Sequence, residues 1–342
     1  MTNTQAEQAP NPAPAQRPRR RLWPKVLIGV AVVLVLALAA GVVYGLSIQR
    51  SVTKNITRGI DLPTDQPSAG DPSAADPADQ ATGTLNYVLL GSDSRDPNNE
   101  GNGRSDTLML VHLNAARDKA YIISFPRDMY VSIPGYGKDK INAAYAFGGP
   151  SLTVSTLQDL VDVKMDHVVL VDFEGFEGLT TDLDGVTVNN KTAFTSHGFD
   201  YPKGKITVQG EQALWFVRER HALPGGDLDR AANQRNVLKA IVQKGLSADT
   251  ISDPAKFTSF LGNASKHLTV DNSLTDAEIR STALSLRLSG DDIELMQAPL
   301  SGFGTSPAGA SIDIVDTAKL AELSEALKND TVADYLKKYP QD

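Results

Sequence analysis

The chain has 342 residues, with 33 Lys+Arg against 41 Asp+Glu, five His and no Cys. At about 100–200 residues per domain this is one large domain or two. The lack of Cys excludes disulfide scaffolds, thiolate zinc sites, iron–sulfur clusters and a Cys nucleophile. Residues 1–25 carry Arg17, Arg19, Arg20, Arg21 and Lys25 against Glu7, a sum of +4, so with a total of −8 the remainder carries −12. An acidic body argues against nucleic-acid binding, which needs a basic face. Any anion site must therefore gather its positive charge locally.

Residues 1–16 are rich in Ala, Pro and Gln and are expected to be disordered; 1–25 as a whole reads as a basic cytoplasmic tail. The next 21 residues, 26–46, contain no charge. At about 1.5 Å per residue they span roughly 30 Å, the thickness of a bilayer's hydrocarbon core. The arginines before them keep that end cytoplasmic. The competing reading is a cleaved signal peptide, whose apolar core is shorter, about 7–15 residues. The expectation is a single-pass anchor in the cell membrane with an extracytoplasmic body. Residues 61–80 hold five Asp, four Pro and no basic residue. The stretch 47–81 is accordingly expected to be a disordered acidic spacer, and 82–342 one folded domain.

Within the folded part, 86–90 (NYVLL), 107–113, 120–124, 168–172 and 293–297 are short apolar runs that read as strands, and 114–119 reads as a hairpin turn between two of them. Helices are expected over 151–161 and 210–217. A stronger one covers 228–244, where Val237, Leu238, Ile241 and Val242 make an apolar stripe. Thr275 and Glu278 form a capping-box signal, and 316–328 is the last long helix. Strands mixed with helices predict an α/β domain, a central mixed β-sheet flanked by helices on both faces.

Connectivity brings distant clusters together. If 86–90, 107–113 and 120–124 run up, down and up, Gly91-Ser92-Asp93-Ser94-Arg95, Arg104-Ser105-Asp106 and Pro126-Arg127-Asp128 share one sheet edge, where α/β ligand sites form. Asp93 and Asp106 are carboxylates without imidazole or thiolate, a donor set suited to Mg²⁺, or to Mn²⁺ in its place; each also suits a simple turn cap. A second arm comes from Arg218-Glu219-Arg220, the Gly225-Gly226 break and Asp227 onward. On a helix starting at 228, Asp227, Arg230 and Gln234 fall on one face, and Asp227 can cap it. Arg127, Arg218, Arg220, Arg230 and Arg235 in an acidic body suit a phosphate pocket, since Arg recognises phosphate bidentately. Ordinary surface ion pairs with Glu219, Asp227 and Asp229 are the alternative. There is no Walker loop, GxSxG elbow or HExxH, and the five His show no metal spacing. His221, beside Arg220, could line the site or merely sit in its loop.

GSDSR (91–95), RSDT (104–107), SFPRD (124–128), KINAAYAFGG (140–149), QALWFVRER (212–220) and DLDRAANQR (227–235) stand in the order and spacing of the LytR–CpsA–Psr family. The chain resembles that family over about 84–246. The resemblance implies a phosphotransferase that moves a glycopolymer from a polyprenyl-pyrophosphate carrier onto peptidoglycan, outside the membrane of mainly Gram-positive bacteria. It implies Asp93 and Asp106 as metal ligands, and Arg104, Arg127, Lys140, Arg218, Arg220, Arg230 and Gln234 around the pyrophosphate. Asp227 would orient Arg230, and Arg104, Arg127, Arg218, Arg220 and Asp227 would carry the catalysis. This chain departs from the common pattern at Asp229 and at Trp215-Phe216, where smaller residues are frequent. A pyrophosphatase using water, and a polyprenyl-phosphate binding module without turnover, are the competing functions.

Overall fold

The computed structural model describes residues 54–63, 81–92, 107–245 and 247–341. A seven-stranded sheet forms the centre, in the spatial order Thr57–Ile60, Leu268–Asp271, His167–Asp172, Leu85–Ser92, Thr107–Leu113, Ala120–Ser124, Ile293–Gln297. Leu85–Ser92, Thr107–Leu113 and Ala120–Ser124 form an antiparallel meander. Ile293–Gln297 joins it in parallel on one side and His167–Asp172 on the other. The sheet is therefore mixed, as expected.

Alternation along each strand splits the core into two layers. Val88, Leu90, Leu108, Leu110 and Ile123 are buried in a cluster with residues of the helices Ala143–Val161, Thr317–Lys328 and Val332–Lys338. One residue along, Leu89, Met109 and Ile122 pack with Leu238 and Val242 of the helix Asp227–Gly245. Helices thus cover both faces. The apolar stripe expected on Asp227–Gly245 serves two neighbours. Val237 and Ile241 belong instead to a third cluster, with Val186, Val188, Tyr201 and Phe216. Wedged between the sheet and that third cluster, this helix holds its first turn fixed at the sheet edge.

Helix Ala143–Val161 begins before the expected position, because 143–147 is also helical, and it kinks at Gly148-Gly149-Pro150. Gly149 has φ 62°, a left-handed conformation that a side chain disfavours. The capping box at Thr275 is present, with reciprocal bonds to Glu278.

The spacer expectation is corrected at its near end, and with it the start of the domain at 82. Thr57–Ile60 is an edge strand, parallel to Leu268–Asp271, and Ile60 is buried. Arg58 pairs with Asp276 at 2.5 Å and donates to the Leu274 carbonyl at 3.1 Å. A chain starting at residue 82 is expected to lose about 2–3 kcal/mol, mainly the burial of Ile60, and to melt ~4–10 °C below one starting at 48. Equal melting temperatures would show that the strand is dispensable. Among the described residues no helix is long and apolar enough to cross a membrane. The apolar run 26–46 and the acidic segment 64–80 lie outside those residues.

Candidate active site

The meander brings three chain points to one edge, with Gly91 opposite Thr107 and Met109 opposite Ser124. Asp93, Arg104 and Asp106 lie outside the described residues. The third cluster is fully described. Beyond Ser124, the Phe125 N–H continues the ladder to the Leu108 carbonyl at 2.9 Å, and the Met129 N–H closes a turn on Pro126 at 3.0 Å. Arg127 projects from that turn, and its carbonyl accepts from the Asn142 N–H at 3.2 Å.

Asp227 opens the wedged helix and gathers the arginines. Its Oδ2 accepts from Arg127 Nε at 3.1 Å and Nη2 at 2.8 Å. Its Oδ1 lies 3.1 Å from Arg230 Nη2 and 3.9 Å from Arg220 Nη1. Three guanidinium groups thus share one carboxylate, leaving a local charge of +3 − 1 = +2 in a body that is acidic overall. Arg230 is buried. Thr107, Ser124, Arg127, Asp227, Arg230 and Gln234 line a cleft at this point. Lys140 is close by, its Nζ 2.9 Å from Asp128 Oδ1.

Several expected residues take additional positions. Gln234 lines the cleft, yet its amide also donates to the Val217 carbonyl at 3.3 Å, supplying a partner for the open end of helix Gly210–Arg218. Arg235 does not join the Asp227 cluster and donates to the Ser124 hydroxyl at the cleft wall, and burial pushes its guanidinium down to about 10. Arg218 lies 5.8 Å above the Trp215 ring, whose plane stacks on exposed His197. His221 Nε2 accepts from Arg220 Nε at 3.3 Å. Asp229 closes the glycine break, accepting from the Gly225 N–H at 2.8 Å. A Cβ on Gly225 would stand 2.8 Å from that carboxylate, so a larger residue there would push the Asp229 side chain off its bond.

Glu219, between the two arginines, is expected from the sequence to be an ordinary ion-pair partner, and it does something different. Its carboxylate accepts from the Ser196 hydroxyl and from the backbone N–H groups of Arg220, His221 and Ala222. Burial alone would raise this carboxyl, but those donors hold it at about 2. The loop carrying Arg220 is thereby tied to its own helix end. A depressed carboxyl contributes stability above its unfolded value, about 4.3, and that contribution disappears as pH falls through its folded value. Glu219→Gln is therefore expected to melt ~2–4 °C lower at pH 7, or about 1 kcal/mol after solvent screening. The gap should close as pH approaches 2. A gap that persists there would assign the effect to packing.

Asp313 also had no signal in the sequence. It sits on the hairpin Leu300–Thr305/Ser311–Val315, and its N–H donates to the Asp128 carbonyl at 2.9 Å. Burial, with Asp128 and Asp227 nearby, raises its carboxyl above the usual range, against the opposing charge of Lys140.

The sequence matches the LytR_cpsA_psr family over residues 49–329. The chain belongs to the LytR_cpsA_psr family. The match begins ahead of the edge strand Thr57–Ile60, in keeping with that strand's place in the domain. Among relatives of this member is the polyisoprenyl-teichoic acid–peptidoglycan teichoic acid transferase TagU of Enterococcus faecalis (strain ATCC 700802 / V583). It is 36% identical over 246 residues, 72% of this chain and 79% of the relative. The crystal structure of B. subtilis TagT is 30% identical, with a TM-score of 0.56 over 80% of this chain and 100% of that one. The structure of TagT bound to LIIa-WTA is 31% identical, with a TM-score of 0.57 over the same shares.

Proposed function

We propose that this chain is a membrane-anchored phosphotransferase that moves a glycopolymer from a polyprenyl-pyrophosphate carrier onto peptidoglycan on the outer side of the membrane. The observation that carries this reading is the cluster of Arg127, Arg220 and Arg230 on Asp227, with its surplus of positive charge at the sheet edge. The named activity of the TagU relative and the ligand in the name of the TagT structure support it.

The chemistry asks little covalent work of the protein. A pyrophosphate joining lipid and sugar carries about two negative charges, and more charge collects on the leaving phosphate during transfer. The arginines bind the phosphate oxygens and take up that charge. They are oriented before substrate arrives, because Asp227 and the Glu219 cradle hold them. The acceptor's sugar hydroxyl attacks the sugar-linked phosphorus, and the electron pair of the broken bond leaves with polyprenyl phosphate. Arg104, Arg218, Lys140 and Gln234 extend the same anion site in this reading. Asp93 and Asp106 follow Ser92 and precede Thr107, at an edge where Gly91 pairs with Thr107. As two hard oxygen donors they would hold Mg²⁺ (or Mn²⁺), which supplies a cation beside the phosphate oxygens when bound.

The test uses the full-length chain in detergent with a short polyprenyl-pyrophosphate-linked sugar, Mg²⁺ and peptidoglycan fragments, read by mass spectrometry. Polyprenyl phosphate with a sugar–phosphate–peptidoglycan adduct is the expected result. Monophosphate without adduct would make the chain a pyrophosphatase, and intact lipid retained without turnover would make it a binding module. In the same assay Asp93→Ala is expected to raise the Mg²⁺ needed for half-activity by about tenfold or more. An unchanged metal titration would remove Asp93 from the ligand set.

A further inference from the structure

The hairpin Leu300–Thr305/Ser311–Val315 stands outside the seven-stranded sheet. Its register puts Phe303 directly opposite Asp313, and Thr305 opposite Ser311. Opposed residues of an antiparallel pair share a face, as do residues two apart. One face therefore carries an aromatic ring, a carboxylate and two hydroxyls. The other holds Ile312, which is buried and anchors the hairpin, and Ile314, which is partly exposed. Phe303 is nevertheless 69% exposed, one of five large apolar side chains left open among the described residues. An isolated exposed ring needs no explanation. A ring paired in register with a half-buried carboxylate beside the arginine cluster does.

The hairpin is tied to that cluster through its backbone. Besides the bond from the Asp313 N–H to the Asp128 carbonyl, Asp313 bridges Met129 in parallel pairing. Asp128 adjoins Arg127 in the chain and pairs with Lys140. The charges of Asp128, Asp227 and Lys140 all act on the Asp313 carboxyl. Asp313, opposite Phe303 on that face, thus lies beside the place where the pyrophosphate is proposed to lie.

We propose that Phe303 and Asp313 form a saccharide subsite beside the arginine cluster, in which the ring of Phe303 stacks on a pyranose and Asp313 accepts from its reacting hydroxyl. A sugar ring offers an apolar C–H face and a polar rim, and an aromatic beside a carboxylate matches both. The proposal rests on the transferase reading for its chemical step. There, Asp313 takes the hydroxyl proton as the sugar oxygen bonds to phosphorus. The bond from phosphorus to the bridging pyrophosphate oxygen breaks, and its electron pair leaves with polyprenyl phosphate. Sugars occur in both donor and acceptor, so the test has an arm for each.

Full-length wild type, Phe303→Ala, Phe303→Trp and Asp313→Asn are compared in detergent. Binding of peptidoglycan glycan fragments is first measured by saturation-transfer NMR without donor. Phe303→Ala is expected to weaken binding about tenfold, and Phe303→Trp to retain it. Steady-state transfer then gives KM for each substrate and the pH profile. A rise in acceptor KM in Phe303→Ala, with a drop of about 10²-fold in kcat and loss of the acidic limb in Asp313→Asn, supports the proposal. A rise in donor KM alone keeps the sugar subsite and overturns the proton-accepting role. Unchanged glycan binding and unchanged KM for both substrates in Phe303→Ala overturn the subsite itself. If wild type makes no adduct yet binds glycan through Phe303, the transferase reading fails and the subsite stands.

Discussion

Replacing Arg127 with Ala is expected to lower kcat/KM by about 10²–10³-fold or more, the loss seen when one charge-stabilising donor is removed from a reacting centre. The geometry explains why the loss is catalytic and the fold survives. Arg127 meets one oxygen of Asp227, Oδ2, through two nitrogens, at 3.1 and 2.8 Å, so its guanidinium is held in place before substrate arrives. Its removal takes one of three arginines from the cluster. Asp227 keeps Arg230 at 3.1 Å and Arg220 at 3.9 Å, so no carboxylate is stranded. The stability cost of this partly exposed pair is then about 1 kcal/mol. The adduct-forming assay and a thermal melt measure both effects on one preparation. Near-normal turnover would take Arg127 out of the site.

Asp227→Asn tests the opposite half of the same arrangement. The substitution keeps the shape and removes the negative charge, raising the local charge of the four residues from +2 to +3. Anion attraction therefore does not weaken, and the donor KM is expected to stay level or fall. The arginines, no longer drawn to one point, repel each other and lose their common orientation. A fall in kcat of about 10–10²-fold is expected for that loss of positioning, with about 1–3 kcal/mol lost in stability. A raised donor KM with unchanged kcat would mean that Asp227 serves binding and leaves the reacting geometry alone.

The strands 107–113, 120–124 and 293–297 agree with their sequence-based limits because each is a short, mainly apolar stretch closed by polar residues. The antiparallel turn between 107–113 and 120–124 follows from its short connection, 114–119, and with it the placing of Thr107 and Ser124 at one sheet edge could be expected without coordinates. The edge strand Thr57–Ile60 could not. It is half polar, and its partner Leu268–Asp271 is more than 200 residues away. Its stability comes from that pairing and from Ile60, and local composition carries neither.

Sequence by itself determined the family, the mixed sheet and the arginine-rich character of the second arm, since residue type, order and periodicity encode these directly. Tertiary structure alone decided which charges meet. Asp227 became the shared partner of three arginines because its helix is wedged between two cores. Arg235, five residues beyond Arg230, was turned to Ser124 by the helical pitch. Glu219 became a loop fastener through three neighbouring N–H groups and Ser196, and Asp313 reached the cluster through a bridge to Met129. Interactions across long chain separations depend on packing and register, and those exist only once the chain has folded.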